Sequence, residues 1–299
     1  MATPLRIAII APGEMGHSVG ASLRARGAEV MTCLAGRTDR SARRARAAGM
    51  AEVADDAALV RAADMFLSIV PPGAAVATAE RIAAALTRTG AGLLYVDCNA
   101  IAPATVRTVA RTVATAGARF VDAAIIGGPP RDGAPGPRFY ASGPDVTAFV
   151  RLREHGLDVR AIGDGIGQAS ALKMSYAALT KGLTALAGEL LIAARRGGVG
   201  EALANELRDS LPGLRQWIDG QLPKMPPKAY RWVAEMEEVA RTFDGCGLPG
   251  TTLRGAAEFY AFVAGSPLGR AVSEAREGEH TADDVVAILT DACAARTGA

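Results

Sequence analysis

Residues 5–30 read LRIAIIAPGEMGHSVGASLRARGAEV, and the rest of the chain is organised around them. Leu5 to Ile10 is a short apolar run rich in β-branched side chains, as expected of a parallel strand buried on both faces. It stops at Ala11-Pro12-Gly13, and a helical pattern begins near Met15 with Val19 and Leu23 on one face. Strand, tight turn and helix are the parts that put a pyrophosphate on a helix N-terminus. There the unpaired N–H groups and the helix dipole both favour negative charge. The pattern is G-x-G-x-x-G with its first glycine replaced, giving Ala11, Gly13 and Gly16. Gly13 would let the backbone approach the phosphates, and Gly16 would let the helix pack closely on the strand. A glycine triplet alone also fits an ordinary strand–helix turn. The correctly placed strand and helix on either side favour a dinucleotide.

The chain has 299 residues, enough for one large domain or two ordinary ones. It is 49% hydrophobic and 21% charged, so it can bury a sizeable core. A net charge of +2 is too balanced for a dedicated nucleic-acid binder. Cys33, Cys98, Cys246 and Cys293 are scattered with no C-x-x-C pair, which argues against zinc and against a disulfide framework. His17, His155 and His280 are dispersed and form no metal set. No basic leader and apolar segment precede the glycine turn, and the expected compartment is a reducing cytoplasm. The most apolar long stretch, Ala177 to Ala194, carries Lys181 and Glu189 and has helical periodicity. It reads as a buried helix, not a membrane span.

Ala28 to Leu34 reads as the second parallel strand, and its end carries the cofactor-selectivity signal. An acidic residue here would accept the ribose 2′-hydroxyl of NAD, whereas arginine would meet the 2′-phosphate of NADP. Gly36-Arg37-Thr38-Asp39-Arg40 places Arg37 and Thr38 before the aspartate, and a guanidinium fork beside a hydroxyl favours NADP(H) over NAD(H). The plain alternative is a solvated basic turn leading into a helix with Arg43, Arg44 and Arg46. Ala63 to Ile69 is a further strand that runs into Val70-Pro71-Pro72, a rigid loop at the carboxyl edge where open α/β sheets bind ligands. Leu93 to Val96 is another, followed by Asp97-Cys98-Asn99. Asn99 could bind an amide or carboxylate there, or equally cap the helix expected over Thr105 to Val113. Phe120 to Ile126 is a strand ending in Gly127-Gly128-Pro129-Pro130, and Arg131 to Pro137 reads as a loop. Phe139 to Ser142 and Val159 to Ile162 are short closing strands.

Beyond Gly163 β-branched runs give way to helical patterns. A helix is expected from Gln168 to Arg196, with Ala169, Leu172, Tyr176, Leu179, Leu183, Leu186 and Leu190 as its apolar stripe. Basic residues close its last turn and Gly197-Gly198 follow. Later helices are expected over 200–210, 213–221, 229–243, 252–263 and 282–295. The expected architecture is an α/β Rossmann domain with a mainly parallel, doubly wound sheet over 1–163. An all-α domain over 164–299 follows, joined by the long helix. Lys173, one turn into that helix, is placed to reach a nicotinamide, although a snorkelling surface lysine is the commoner case.

Taken together, these stations resemble the β-hydroxyacid dehydrogenase and 6-phosphogluconate dehydrogenase superfamily over residues 5 to about 190. Ala11-Pro12-Gly13-Glu14-Met15-Gly16 looks like the family's G-x-G-x-M-G, and Arg37-Thr38 resembles the pair its NADP-using members set on the 2′-phosphate. Val70-Pro71-Pro72 resembles the loop near the nicotinamide. Asp97 to Pro103 sits where the family has its substrate segment, and Phe120 to Gly128 matches its substrate-binding glycine pair. Gly167 to Met174 looks like the segment with the catalytic lysine. The resemblance implies hydride transfer between the nicotinamide and a carbinol carbon. Lys173 would take the hydroxyl proton in oxidation and return it in reduction, while Asn99 and the Gly127-Gly128 amides orient a substrate carboxylate.

The chain departs from the family at Ala177, Thr180 and Ile126, where relatives carry asparagine, a 6-phosphogluconate-specific glutamate and serine. The reading therefore does not extend to 6-phosphogluconate or to decarboxylation. Tyr176 would stand in for the missing asparagine. The expected substrate is a small carboxylate-bearing hydroxy acid or related alcohol, and the expected assembly a homodimer. Imine or ketone reduction, and NADPH sensing without turnover, are the competing readings.

Overall fold

The computed structural model describes residues 4–130, 136–271 and 280–297. Residues 131–135 of the expected glycine- and proline-rich loop lie outside the described residues. The chain divides into two compact units, Met1–Met174 and Ser175–Ala299.

The first unit runs β1 (Arg6–Ile10), α1 (Glu14–Arg24), β2 (Glu29–Cys33), α2 (Asp39–Ala47), β3 (Ala51–Val53), α3 (Asp56–Ala62) and β4 (Met65–Ser68). It continues through α4 (Ala75–Thr89), β5 (Leu94–Asp97), α5 (Pro103–Thr115), β6 (Arg119–Ile126), β7 (Arg138–Ser142), α6 (Val146–Val150) and β8 (Asp158–Gly163) into the start of α7 (Gln168–Arg196). The strands form one sheet in the order β3-β2-β1-β4-β5-β6-β7-β8. All neighbouring pairs are parallel except β6 with β7. From β1 the chain builds one way through β2 and β3, then returns to the other side of β1 as β4. That reversal opens a crevice between the carboxyl ends of β1 and β4, the switch point where such sheets take ligands.

Alternation along β1 explains why its apolar run is continuous. Ile7 and Ile9 join Val19 and Leu23 in the core on one face, while Ala8 and Ile10 join Leu59, Val60 and Ile82 on the other. On that second face Tyr95 stacks on Phe66 and Phe120, with ring centroids 5.0 and 5.9 Å apart. The strands read from sequence are all present, but β3, α3 and α4 go beyond that reading. Strand β3 has three residues and no alternating signal. Helix α4 hides behind the double proline, because Pro72 opens a short 3₁₀ turn that feeds the helix instead of ending structure.

The second unit contains the rest of α7, then α8 (Gly200–Ser210), α9 (Pro212–Gln221), α10 (Ala229–Gly245), α11 (Thr251–Ala264), α12 (Pro267–Arg270) and α13 (Ala282–Thr297). Helix α7 has the bounds expected, and the later helices match within two residues at each end, apart from the unforeseen α12. The face assigned to α7 is corrected. Leu172, Tyr176, Leu179 and Leu186 are exposed, Leu179 by 66% and Leu186 by 55%. The buried face carries Ala177, Thr184, Ala185, Ala187, Leu191 and Ile192 instead. Small residues win that face because they let another helix come close. A Cβ at Gly188 would lie 2.5 Å from the Phe259 ring of α11. By length and composition α7 could cross a membrane, and 39% of its most apolar window is buried. The reading of Ala177 to Ala194 as a buried helix thus holds for one face of it and not for the face of Leu179 and Leu186. Inside this unit Lys181 pairs with Glu235 and lies 5.3 Å from the Trp232 ring centroid.

The sequence places the end of the first domain at Gly163, the last residue of β8. The first compact unit reaches further, to Met174, taking in the opening turns of α7.

Candidate active site at the carboxyl edge of the sheet

The turn after β1 is tight. The Gly13 N–H donates to the Ala11 carbonyl at 2.6 Å, and Ala11 takes φ +59°, the left-handed region its glycine counterpart would enter freely. Gly13 caps α1 with no side-chain hydrogen bond, and the N–H groups that open a helix have no partner within the helix itself. A Cβ at Gly16 would lie 2.8 Å from the Ala11 carbonyl oxygen and 3.4 Å from Ile9. At Gly13 the nearest atom would be 3.9 Å away, so nothing in the chain itself requires glycine there. His17 holds the turn from below, its Nδ1 2.6 Å from the Gly13 carbonyl oxygen. Glu14 and Met15 open the helix.

At the end of β2, Arg37 is half-buried. Burial pushes its guanidinium pKa down and nearby Arg81 adds to this, while Asp56 opposes both. Arg81 in turn donates to Asp56 at 2.8 Å. Arg81 holds the ion pair with Asp56, and Arg37 near it leaves positive charge in surplus over that carboxylate beside β2. Arg81 escaped the sequence reading because it sits on α4. Thr38 is already engaged: its Oγ1 accepts from the Ser41 N–H at 3.3 Å as the N-cap of α2. Arg40 lies exposed in the first turn of that helix.

Asn99, after β5, is 3% exposed and caps nothing. Helix α5 starts at Pro103 with Ala102 as its N-cap. Its Oδ1 accepts from the Val70 N–H at 2.7 Å, and its Nδ2 donates to Ser68 Oγ at 3.0 Å and Asp97 Oδ2 at 2.8 Å. One buried amide thereby ties the loop Val70-Pro71-Pro72 to the ends of β4 and β5. Both of its N–H donors are spent inside the protein. Asp97, 1% exposed, has its pKa raised to about 7 by burial, with the charge of Asp122 adding to the effect and the Asn99 hydrogen bonds opposing it.

Strand β6 carries the next group. Lys173 Nζ donates to the Ile125 carbonyl at 2.9 Å, next to the strand end that leads into Gly127 and Gly128. Gly127 has φ +123°, and a Cβ there would come within 3.1 Å of Pro137. A glycine is thus demanded by the backbone, whereas at Gly128 a Cβ would meet open space. Three positions earlier on β6, Asp122 is fully buried and accepts four hydrogen bonds. In the sequence it passes as one more residue of the Phe120 to Ile126 strand. Tyr176 lies in the second unit and is 47% exposed.

The turn at Ala11–Gly16, the Val70–Pro72 loop, Asn99, the glycine pair and Lys173 all lie at the carboxyl ends of β1, β4, β5 and β6, four strands that are consecutive in the sheet. A dinucleotide fits this edge. Its pyrophosphate needs an uncapped helix start and a backbone clear of Cβ atoms, and α1 with Gly13 supplies both.

Residues 6–153 match the family described as the NAD binding domain of 6-phosphogluconate dehydrogenase. Residues 194–263 match a domain of unknown function, DUF1932. The solved structure of the conserved protein MTH1747, reported as similar to 3-hydroxyacid dehydrogenases, is 32% identical, with a TM-score of 0.67 over 87% of this chain and 97% of that one. An uncharacterised 28.5 kDa protein of Methanothermus fervidus is 28% identical over 206 residues, which cover 69% of this chain and 77% of its own. A 3-hydroxyisobutyrate dehydrogenase of Mycobacterium tuberculosis shares the fold at 19% identity, with a TM-score of 0.69 over 97% of this chain and 99% of its own. With its uncapped glycine turn at the switch point of a doubly wound sheet and a helical unit after it, the chain belongs to the β-hydroxyacid dehydrogenase and 6-phosphogluconate dehydrogenase-like superfamily of nicotinamide-dinucleotide-binding oxidoreductases.

Proposed function

We propose that the protein is an NADP-dependent oxidoreductase moving a hydride between the nicotinamide and a small hydroxy acid or related alcohol, with Lys173 as the general acid/base. The observation that carries this reading is the Lys173 amine, held 2.9 Å from the Ile125 carbonyl at the carboxyl edge of the sheet that also bears the glycine turn. The bound nicotinamide would supply the hydride acceptor or donor. The chain's own residues do the rest. Lys173 takes the hydroxyl proton as the carbinol is oxidised and returns it in the reverse direction. The backbone amides of Gly127 and Gly128 orient the substrate carboxylate. Asn99 acts by fixing Val70-Pro71-Pro72, and Tyr176 is assigned to the substrate as a hydrogen-bonding group. Preference for NADP rests on Arg37 with Arg81, whose shared positive charge suits a 2′-phosphate. Thr38 and Arg40 flank that site.

A homodimer is part of the proposal, because Leu179 and Leu186 present an apolar face on α7 that a second copy would cover. The expected compartment is the cytoplasm. The test is NADP-linked turnover across 2- and 3-hydroxy acids, wild type beside Lys173→Ala, with NADPH binding measured in both. Loss of turnover with binding kept supports the assignment. Undiminished turnover in the variant removes Lys173 from the chemistry, and turnover of cyclic imines in place of hydroxy acids overturns the substrate class. A light-scattering mass of a single chain would end the dimer proposal.

A further inference from the structure

Helix α7 begins on groups supplied by the sheet. Asp122 Oδ2 on β6 accepts from the Gly167 N–H at 2.9 Å and the Ser170 N–H at 3.1 Å, and Asp122 Oδ1 accepts from Ser170 Oγ at 2.8 Å. Ser142 Oγ on β7 donates to Asp122 Oδ2 at 3.3 Å and accepts from the Ala169 N–H at 3.1 Å. Three N–H groups at the helix start, which have no partner within the helix, are thereby bound by two side chains 25 or more positions away in sequence. Four hydrogen bonds are donated to the Asp122 carboxylate and favour its ionised form, against burial, which pushes its pKa up. Its charge in turn helps raise the pKa of Asp97.

One turn further along α7, the same strand takes a second hold on the helix through the Lys173–Ile125 hydrogen bond. Lys173 therefore hangs between two fixed points on β6. Its backbone is set by Asp122 through Ser170, and its amine by the Ile125 carbonyl.

We propose that Asp122 is the positioning residue for Lys173, fixing the rotation and height of the first turns of α7 so that the amine is presented at the end of β6. The proposal takes Lys173 as the acid/base group from the reading above and adds what holds it in place. Asp122 is fully buried, out of reach of substrate and cofactor. It acts through α7, with Ser142 and Ser170 completing the hold.

The chain has only four lysines, at 173, 181, 224 and 228. Reductive ¹³C-dimethylation of the full-length protein therefore gives a spectrum simple enough to follow Lys173, assigned with Lys173→Arg. The variants are Asp122→Asn, which turns one acceptor oxygen into a donor aimed at N–H groups, and Ser170→Ala, which removes one hydroxyl bond and leaves the backbone bonds in place. Circular dichroism and NADPH titration establish that each variant folds and binds cofactor. The expected result is a Lys173 signal that moves from its held position toward that of an exposed lysine, further in Asp122→Asn than in Ser170→Ala. It is accompanied by a loss of kcat on the order of 10²-fold in Asp122→Asn with KM and NADPH affinity kept. If Asp122→Asn does not fold, Ser170→Ala decides on the same signal. An unmoved Lys173 signal in the folded variants overturns the proposal. So does a kcat loss from Asp122→Asn that is as large in a Lys173→Ala background as in wild type. A moved signal with turnover untouched by Lys173→Ala would instead keep the positioning role and sink the acid/base assignment.

Discussion

Gly13 and Gly16 share one turn, yet the structure gives them different reasons for being glycine, and a pair of alanine substitutions separates the two. At Gly16 the added methyl would sit 2.8 Å from the Ala11 carbonyl oxygen and 3.4 Å from Ile9 Cγ2. The first contact is with backbone, and that backbone has little room to yield, because Ala11 already sits at φ +59° at a cost of roughly 1–3 kcal/mol. Overpacking of this kind costs about 1–3 kcal/mol, so Gly16→Ala should lower the stability of the cofactor-free protein by that amount. At Gly13 the backbone lies at φ −72° and ψ −168°, where alanine is at ease, and the nearest atom to its methyl would be 3.9 Å away. Gly13→Ala should leave folding unchanged or strengthen it by roughly 0.4–1 kcal/mol through the unfolded chain. The same methyl would stand where the pyrophosphate approaches, and NADPH affinity should fall on the order of tenfold or more, about 1.4 kcal/mol per decade. Urea denaturation without cofactor measures the first effect and fluorescence titration with NADPH the second. Equal destabilisation by both substitutions would refute the division of labour. Wild-type NADPH affinity in Gly13→Ala would remove the phosphates from this turn.

Asn99→Ala should cost about 2 kcal/mol or more in urea denaturation, because Val70 N–H, Ser68 and Asp97 all lose a buried partner. NADPH affinity should fall with it as the Val70–Pro72 loop loosens. Burial raises the Asp97 pKa from 3.8 to about 7, so the folded state holds this proton more tightly than the unfolded chain does. Its contribution to stability is complete at pH values below the unfolded pKa and is lost as the pH rises through about 7. Stability measured across that window should decline less steeply in Asp97→Asn than in wild type, and an unchanged slope would remove Asp97 as its source. In the helical unit, Lys181→Met takes the Lys181 charge away from the buried Glu235 and should cost about 3–5 kcal/mol, while the double variant Lys181→Met/Glu235→Leu recovers most of the loss. A double variant no more stable than the single one would contradict this.

What the sequence made legible was local. The β1–turn–α1 unit could be read because strand run, turn and helix stripe are contiguous, and each residue's neighbours in space are close neighbours in the chain. The α7 stripe shows where that kind of reading fails. Leucines at helical spacing mark an apolar face, but they do not say which face the unit buries, and here much of the inside is alanine, with glycine at 188 where Phe259 comes too near for anything larger. Asn99 shows a second limit. Its two sequence readings, ligand contact and helix cap, both assumed a partner nearby, whereas its amide reaches Val70 and Ser68, about thirty positions back.

Asp122 is the strongest case, because the signal that would have exposed it was an absence. Gly163-Asp164-Gly165-Ile166-Gly167 runs into a helix of 29 residues, and the hydroxyls nearest its start do not cap it locally. Ser170 lies inside the helix and donates to Asp122 instead. Only the Gln168 N–H finds an acceptor close by, the Gly165 carbonyl, and the N–H groups after it must find acceptors elsewhere or stay unpaired. The acceptor nearest to hand is then a side chain from a neighbouring strand. Apart from Glu29, which opens β2, the carboxylates on the inner strands are Asp97 and Asp122, and Asp97 is engaged by Asn99. The N–H groups that α7 cannot satisfy locally and the aspartate of β6 thus answer each other, and the residue that gains a fixed position is Lys173.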